Sequence, residues 1–248
     1  LKAASSLRKE LLTYMNDFYV NNFNLNNKSK FNGIGFGNEH DKTSSYQLAK
    51  ILKTHKIDVF ETNGKKFKYY VPLKQKKSRL IKAIFDTNTK FEDSLFYDVS
   101  AWTFPHAFNL NYEFVKEESK TNNSITPPKG KVSNYSNYGY LIKPYDYNIP
   151  TLINNLQENG IRIKSSSKQF KINNDHFDYG SLLIPVVSQS VSPDKIFETL
   201  SAISDETGID IYGLNGGYED NVGFGSGSFT TIKKPKVGLI VGAGVRAY

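Results

Sequence analysis

The stretch SYQLAKILKTHKIDVF, residues 45–60, decides the fold because a second stretch, NIPTLINNLQENGIRIK at residues 148–164, repeats its pattern. In both stretches, apolar residues recur at the spacing of an amphipathic helix and then continue into a strand-like run. The pairs aligned at one constant offset are Leu48 with Leu152, Leu52 with Leu156, Ile57 with Ile161, and Val59 with Ile163. This repetition predicts an internal duplication of one structural unit.

With the flanking residues included, each copy reads as a strand, a helix, two strands and a second helix. The match continues in the third strand, where YYVP at residues 69–72 corresponds to LLIP at residues 182–185. In the first copy we predict strands at residues 31–37, 57–62 and 67–73, helices at 45–55 and 78–85, and a hairpin turn at Asn63 and Gly64. In the second we predict strands at residues 138–144, 161–166 and 177–186 and helices at 151–159 and 192–206, with Pro150 and Pro193 in their first turns. The sequence therefore predicts an α/β fold of two similar strand-helix-strand-strand-helix lobes with mixed sheets.

Three further segments complete the predicted organisation of the 248 residues. Apolar residues at helical spacing predict an amphipathic helix at residues 2–20. The polar run at residues 117–137 is predicted to be either the connection between the lobes or a mobile surface loop. The predicted divisions are 1–30, a helical arm; 31–116, the first α/β lobe; 117–137, the connection; 138–232, the second α/β lobe; and 233–248, the truncated first strand of a following domain.

The aromatic segment FEDSLFYDVSAWTFPHAFNL, residues 91–110, contains the only tryptophan, Trp102. Large aromatic side chains dominate the energetics of cores, so we expect this segment to be central to a core. Tyr97, Asp98 and His106 flank Trp102 and are predicted to line a pocket with it. The structural alternative is that the carboxylate of Asp98 caps a helix or accepts hydrogen bonds from backbone donors.

Three runs carry a resemblance to a known family: YYVPLKQKKSRLIKAIF at residues 69–85, SLFYDVSAWTFPHAFNL at 94–110 and KKPKVGLIVGAGVRAY at 233–248. They resemble the non-peptidase region of large secreted bacterial proteins of the zinc carboxypeptidase family, the carboxypeptidase A-like metallopeptidases. In that family a peptidase domain precedes this region and a domain similar to the class I glutamine amidotransferases follows it. The resemblance implies that residues 233–248 begin the amidotransferase-like domain, and that both neighbouring domains are partners of this chain.

The parent reaction implied by the resemblance is zinc-dependent hydrolysis of carboxy-terminal peptide bonds. A zinc carboxypeptidase takes its first two metal ligands from a His-x-x-Glu run, and none of the four histidines has Glu at the third following position. The chain also lacks HExxH and has no cysteine. We therefore assign no catalytic, cofactor-binding or metal residue to this chain, and expect zinc only in the parent's peptidase domain.

The formal net charge of +8 is concentrated in residues 62–85, which contain eight basic and no acidic side chains. Such a patch can attract nucleic acid or an anionic surface. Lysines at strand rims also serve as solvated guards against edge pairing, and no nucleic-acid-binding motif is present. We therefore expect no nucleic-acid partner. No apolar run approaches the roughly 18 to 20 residues of a membrane span, so none is predicted.

Three short motifs suggest chemistry and also have structural interpretations. Glu39, His40 and Asp41 are ligand-type residues, but three in a row point in different directions, and a turn there needs polar residues. The GFGSGS run at residues 223–228 resembles a phosphate-binding loop but precedes a strand, which favours a flexible loop. VGAGVRA at residues 241–247 has the spacing of a dinucleotide-binding turn without its following helix.

The leading functional prediction is a non-catalytic accessory region of a secreted or periplasmic zinc carboxypeptidase that scaffolds the peptidase domain or shapes access to it. We expect the chain to be a piece of a longer protein for two reasons. It lacks both an initiating Met and an apolar leader, and it stops just after an apolar run reaches a glycine turn. The alternative is a module that binds peptide or glycan through exposed tyrosines, and a hydrolase with an unfamiliar site is a third hypothesis. The tyrosines considered are Tyr135, Tyr138, Tyr140, Tyr145 and Tyr147.

Overall fold

The structure, a computed structural model, describes residues 2–26, 30–63, 66–87, 103–117, 124–172, 175–219 and 222–245. The chain divides into two compact units: unit 1 is Leu1–Pro128 and unit 2 is Lys129–Tyr248. The division falls inside the polar run at residues 117–137. Two described positions of this run are hydrogen-bonded, since Thr126 N–H donates to Glu61 and Lys131 C=O accepts from Ile211.

Two helices open unit 1, α1 (Lys2–Ser6) and α2 (Arg8–Asn26). The helix prediction for residues 2–20 ended too early, because the Asn-rich run still makes helical hydrogen bonds as far as Asn26. The apolar side chains of α2, among them Leu11 and Met15, are largely exposed. Its contact with the rest of unit 1 includes the ring of Phe18, which lies 4.2 Å from the Arg79 guanidinium. Along the described parts of the chain, no helix has the length and apolarity needed to cross a membrane.

The rest of unit 1 is a four-stranded antiparallel sheet with helices on one face. Its elements are β1 (Gly33–Gly37), α3 (Lys42–Thr54), β2 (Phe60–Glu61), β3 (Tyr69–Pro72), α4 (Ser78–Phe85), α5 (Phe104–Ala107) and β4 (Asn111–Val115). The strand order is β2-β3-β1-β4. Helix α3 begins three residues before the predicted start, because Asp41 Oδ1 accepts a hydrogen bond from Ser44 N–H at 2.8 Å and caps the helix at Lys42.

Unit 2 contains a five-stranded sheet and two hairpins. Its elements are β5 (Gly139–Ile142), α6 (Ile149–Glu158), β6 (Lys164–Ser166), β7 (Phe170–Ile172), β8 (Asp175–Phe177), β9 (Leu182–Pro185), α7 (Pro193–Thr207), β10 (Tyr212–Gly213), β11 (Tyr218–Glu219), β12 (Val222–Gly223) and β13 (Phe229–Thr231). The sheet order is β10-β5-β9-β6-β13, while β7 pairs with β8 and β11 with β12. The closing helix α7 has Ser192 as its N-cap and the left-handed Gly208 as its C-cap.

The two sheets have the same topology. Leaving out β13, the order β6-β9-β5-β10 of unit 2 corresponds strand for strand to β2-β3-β1-β4 of unit 1. The registers agree as well, since Gly33 faces Pro72 between β1 and β3 while Gly139 faces Pro185 between β5 and β9. Both units therefore have the split β-α-β arrangement of ferredoxin-like folds. That topology is shared by proteins of many activities and does not identify one.

The turn after the first helix of each copy confirms the correspondence residue by residue. Ile57 N–H donates to Leu52 C=O at 3.0 Å, and Ile161 N–H donates to Leu156 C=O at 2.9 Å. The residue before each isoleucine, Lys56 in unit 1 and Gly160 in unit 2, has a left-handed φ of 58° and 71° respectively. All four aligned apolar pairs are buried. The repeated sequence pattern therefore corresponds to a repeated packing arrangement.

Each unit has its main core between the helices and the inner face of the sheet. The core side chains of unit 1 that have a counterpart in the core of unit 2 are Ile34, Phe36, Leu48, Leu52, Ile57, Val59, Tyr69, Val71, Ile81 and Phe85. Their counterparts in unit 2 are Tyr140, Ile142, Leu152, Leu156, Ile161, Ile163, Leu182, Ile184, Ile196 and Leu200. Burial of aliphatic and aromatic side chains at corresponding positions is the main term that stabilises both copies.

Several predicted strands differ from the observed ones. The run at 177–186 was predicted as one strand but is divided between β8 and β9, because the chain turns at Gly180, whose φ is 82°. The GFGSGS run at residues 223–228, predicted as a flexible loop, begins inside β12 at Gly223, the end of the β11–β12 hairpin. The ladders between named strands are antiparallel, and parallel pairing within the described residues is confined to the bridge between Val132 and Ile211.

The aromatic segment at residues 91–110 is described only from Thr103 onward. In this part, Phe104 and Phe108 pack against the core of unit 1 and Leu110 is buried in it. Tyr97, Asp98 and Trp102 lie outside the described residues.

Candidate ligand-binding site

The outer faces of the two sheets, opposite the helices, are built differently. In unit 2 the outward side chains Leu141 and Leu183 belong to a second apolar cluster. The aromatic rings of this cluster come from the two hairpins and from β13, and Phe170 stacks on Phe177 with ring centroids 5.3 Å apart. The other members are Leu214, Val222, Phe224 and Phe229. The outer face of unit 2 is thus filled by the chain itself.

At the position of unit 1 that corresponds to Leu141, β1 has Gly35, while Tyr70 of β3 takes the place of Leu183. Gly33 and Gly35 alternate with the core residues Ile34 and Phe36, so they lie on the outer face. A Cβ atom on Gly33 would overlap the ring of Tyr70, and a Cβ on Gly35 would overlap the ring of Phe67. The two aromatic rings therefore lie directly on the backbone of β1, which only glycine permits.

A groove of about 690 Å³ runs along this face of unit 1. It extends from the turn between β2 and β3 to the end of β4. The residues that line it are Phe31, Gly35, Thr62, Lys66, Phe67, Tyr69, Tyr70, Phe114, Val115, Lys116 and Glu117. A volume of this size with mainly apolar and aromatic walls and a few polar groups at the rim is typical of ligand sites.

Two lysines at or near the rim of the groove form ion pairs. Lys66 Nζ lies 2.6 Å from Glu113 Oε1 and 5.3 Å from the centre of the Phe67 ring. Lys68 Nζ lies 3.2 Å from Glu61 Oε2. The charges of Lys66 and Lys68 are therefore each compensated in part by a nearby carboxylate.

Glu61 joins the strand β2 to the segment that ends unit 1. Its Oε1 accepts hydrogen bonds from the backbone N–H and the hydroxyl of Thr126, both at 2.8 Å. Burial opposes the charged form of this carboxyl, but the hydrogen bonds from Thr126 and Lys68 outweigh burial and hold the pKa of Glu61 below its usual value. Glu61 therefore stabilises one wall of the groove in its ionised form.

Of the four residues predicted to line a pocket, only His106 is described. It belongs to α5, and its ring meets the ring of Tyr112 edge-on at 5.7 Å. A smaller cavity of about 270 Å³ is lined by His106, Asn109, Leu110, Asn111 and Tyr112. The structure thus places His106 in a polar cavity beside β4, while the positions of the other three predicted residues are not tested.

The remaining candidate residues have structural roles. Asp41 caps α3, and His40 N–H donates to Asn38 Oδ1. In the described ranges, no three His, Asp or Glu side chains are grouped so that they could hold a metal ion.

The tyrosines do not form one exposed set. Tyr140, one of the tyrosines named for the binding-module alternative, is a packing residue: it is fully buried in the core of unit 2, where alternation along β5 turns it toward the helices. Tyr135 donates to Asp194 and packs on Phe197, and Tyr145 donates to Asp178.

The groove residues Gly35, Phe67 and Val115 were missed by sequence reasoning. One signal was available, because the alternation of glycine with Ile34 and Phe36 in GIGFG predicts a strand with one apolar face and one bare face. The position of Phe67 over Gly35 depends on strand register, which the sequence pattern does not fix.

Comparison with known proteins gives no relative for this chain. No family model, no curated protein and no solved structure matches it.

Proposed function

We propose that this chain is a non-catalytic accessory region that binds peptide in the groove of unit 1. The observation that carries the proposal is the difference between two copies of one fold. The face that unit 2 fills with Phe170, Phe177 and their neighbours holds a groove of about 690 Å³ in unit 1. Duplicated units that differ at one face are expected to differ in what that face does.

The walls of the groove favour a peptide over a glycan. Sugars stack on exposed aromatic faces; Phe31 and Phe114 at the end of the groove are 38% and 39% exposed, but Tyr70 is almost fully buried and Phe67 is half-buried. An apolar peptide side chain can enter the space beside Phe67 and Val115 while its main chain remains at the polar rim. Nucleic acid is less favoured, because Lys66 and Lys68 are paired with Glu113 and Glu61 and would have to leave these carboxylates to contact phosphate.

The parent protein is part of the same proposal and rests on the family resemblance. In a secreted or periplasmic zinc carboxypeptidase, a peptide-binding region beside the peptidase domain would hold substrate chains near the zinc site or restrict which chains reach it. The hydrolytic zinc and its ligands would belong to the peptidase domain. The lack of a His-x-x-Glu run in this chain supports the assignment of an accessory role.

The proposal is tested by calorimetry of the whole chain with a hexapeptide library and with an oligosaccharide panel. We expect binding from peptides that contain Leu or Phe and none from the sugars. Phe67→Ala removes one wall of the groove and should weaken peptide binding by about tenfold or more, the effect of losing one buried aromatic contact.

Tyr179→Ala is the control, because Tyr179 is 62% exposed and belongs to unit 2. It should leave peptide affinity unchanged. Binding of sugars but not peptides, or peptide binding that is insensitive to Phe67→Ala, would contradict the proposal.

A further inference from the structure

Unit 2 covers the outer edge of its own sheet with an extended segment. Val132 forms a parallel bridge with Ile211, the residue before β10. Ile211 N–H donates to Lys131 C=O at 2.9 Å, and Ser133 N–H donates to Ile211 C=O at 2.8 Å. Ser133 Oγ also accepts from Gly213 N–H at 2.9 Å. Residues 130–134, which we name the covering segment, therefore add a short strand to the edge of β10.

The same edge in unit 1 is the outer edge of β4. Glu113 pairs with Gly35 in unit 1 as Tyr212 pairs with Leu141 in unit 2, so Tyr112 corresponds to Ile211. Strand β4 stands at the end of its sheet, and none of the described residues adds a further strand beyond it. The residues at the position of the covering segment, before β1, belong to α2 as far as Asn26. They are therefore not available in the described structure to cover β4.

The sequence of β4 leaves this edge open to pairing. Edge strands are usually protected by lysine, proline or bulges, and NYEFV has neither lysine nor proline. Its one charged residue, Glu113, already pairs with Lys66 on the outer face of the sheet. Both the correspondence with β10 and the composition of β4 therefore indicate a strand that can accept a partner.

We infer that β4 takes up an extended peptide in the parallel sense, through the backbone N–H and C=O of Tyr112. This inference rests on the proposed peptide-binding function and specifies how the peptide is held. Main-chain hydrogen bonds of this kind supply affinity, while alternate side chains supply specificity. We expect the peptide to pair with β4 in the same way as the covering segment pairs with β10 in unit 2.

The two faces of β4 give the alternate side chains of such a peptide different surroundings. On the outer face, side chains would lie beside Glu113 and Val115 at the edge of the groove. On the inner face, the side chain next to Tyr112 would enter the cavity of about 270 Å³ that also contains His106. Val132 occupies this place in unit 2 and packs on an apolar core. In unit 1, Asn109 and Asn111 line the cavity, so a polar residue such as Asn or Asp suits it better than Val.

Phe114 limits the length of the added strand. It corresponds to Gly213, where a Cβ atom would overlap the carbonyl oxygen of Asn134 in the covering segment. A peptide on β4 cannot follow the path of the covering segment past Phe114 and must leave the edge there. The ring of Phe114 also lines the groove, so the departing chain passes the groove entrance.

The test uses the ¹⁵N-labelled chain of 248 residues and the synthetic hexapeptide Ac-GKVSNY-NH2, which copies residues 130–135, together with its Asn variant Ac-GKNSNY-NH2. We expect both peptides to shift the amide resonances of Tyr112 and Phe114 and to slow hydrogen exchange at Tyr112. The Asn variant should bind more tightly than the Val peptide. Phe114→Gly should strengthen binding of both peptides.

Backbone methylation distinguishes strand pairing from side-chain binding. Methylation of the serine nitrogen removes the donor that corresponds to Ser133 N–H and should weaken binding by about tenfold, the effect of one buried hydrogen bond. Methylation of the third residue's nitrogen is the matched control, because that N–H points away from the edge, and it should leave affinity unchanged. Tyr112→Pro should abolish binding, whereas Tyr112→Ala, which loses the same ring contacts with Phe85 and His106 but keeps the backbone N–H, should still bind.

The results distinguish a failure of strand addition at β4 from a failure of the proposed peptide-binding function of the groove. If library peptides bind with sensitivity to Phe67→Ala but the two methylated peptides bind equally, strand addition is wrong and the groove alone holds peptide. Absence of any shift at Tyr112 with both hexapeptides also overturns strand addition. If the hexapeptides pair with β4 as described while Phe67→Ala has no effect, the edge is a peptide site and the proposed role of the groove fails.

Discussion

Gln75 and Gln189 make the same hydrogen bonds in the two units. Gln75 Oε1 accepts from Asp58 N–H at 2.8 Å, and Gln189 Oε1 accepts from Arg162 N–H at 2.9 Å. Each amide nitrogen donates back to the carbonyl of the same partner and to the proline that ends the neighbouring strand, Pro72 or Pro185. In each unit, one glutamine side chain thus joins two segments. One is the loop after β3 in unit 1 or β9 in unit 2, and the other is the backbone just after the first helix of that unit, at Asp58 or Arg162.

Replacing either glutamine should destabilise its own unit. Gln75→Ala leaves the backbone N–H and C=O of Asp58 without their side-chain partner, which costs about 1–3 kcal/mol in the free energy of unfolding. Gln189 is less buried than Gln75, so Gln189→Ala should lie at the lower end of this range. Hydrogen exchange checks the location, because Gln75→Ala should speed exchange at Asp58 and Gln189→Ala at Arg162.

Gln169→Ala is the control for this prediction. Gln169 Nε2 donates to the carboxylate of Asp178 at 2.6 Å, a bond between two side chains rather than a link between two backbone segments. The free energy of unfolding should change by less than about 0.5 kcal/mol. An equal loss of stability in Gln169→Ala and Gln75→Ala would contradict the role assigned to the shared glutamine.

Substitutions in the turn after the first helix should change the stability of the two units in opposite directions. Gly160 has a φ of 71° and open space around its Cα, so Gly160→Ala introduces backbone strain without a steric clash. It should cost about 1 kcal/mol. Lys56 already occupies the corresponding left-handed conformation, with a φ of 58°. Lys56→Gly should therefore stabilise unit 1, but by a smaller amount, because glycine also increases the entropy of the unfolded chain.

Urea denaturation of both variants measures the two changes. A destabilising Lys56→Gly together with a neutral Gly160→Ala would mean that the left-handed turn is not strained. The two variants also serve as controls for each other, since both positions are exposed and lie in the same turn.

Sequence reasoning recovered the duplication because it depends on local periodicity. Leu48, Leu52 and Ile57 and their counterparts lie on one helix face and the strand after it, so a constant offset aligns them. The shared glutamine was missed because that offset changes along the chain, with Gln75 three residues after its proline and Gln189 four residues after its own.

The candidate site was less accessible to sequence reasoning than the fold. Helix ends such as the start of α4 at Ser78 and the start of α7 after Ser192 follow from local signals. The groove depends on which residues β3 and β4 bring opposite Gly35, and this pairing is set by long-range register. The pocket predicted around Trp102 stays a prediction.

Acid should destabilise unit 1 through Glu61. Because the pKa of Glu61 is lower in the folded chain than its usual value, its ionised form stabilises the fold. This contribution is present above the unfolded pKa, which is near 4.5, and is lost as the pH falls through the lower folded value. Between about pH 7 and about pH 3, the wild type should lose more stability than Glu61→Gln.

Glu113→Gln is the matched control, because Glu113 forms an exposed ion pair with Lys66. Exposed pairs contribute little, so this variant should follow the pH dependence of the wild type. Denaturant melts at the two pH values provide the comparison. Identical pH dependence in Glu61→Gln and the wild type would show that the hydrogen bonds from Thr126 do not favour the charged carboxylate.

The apolar cluster on the outer face of unit 2 should be a second core. Phe177 is fully buried, stacks on Phe170 and meets the ring of Tyr212 edge-on at 5.5 Å. Phe177→Ala should cost about 3–5 kcal/mol, the range for a large aromatic side chain removed from a core. Exposed Tyr179 lies nearby in sequence, and Tyr179→Ala should change stability by less than about 0.5 kcal/mol.

Phe177→Ala also tests why the two copies of the fold differ. Removing this ring uncovers Leu141 and Leu183, which correspond to Gly35 and Tyr70 at the groove of unit 1. The variant should bind a hydrophobic dye such as ANS under native conditions, whereas Tyr179→Ala should not. The expectation is contradicted if Phe177→Ala lowers the free energy of unfolding by less than about 1 kcal/mol and binds no dye. In that case the hairpins do not cover the outer face of unit 2, and this face does not differ from the groove of unit 1 for the reason given.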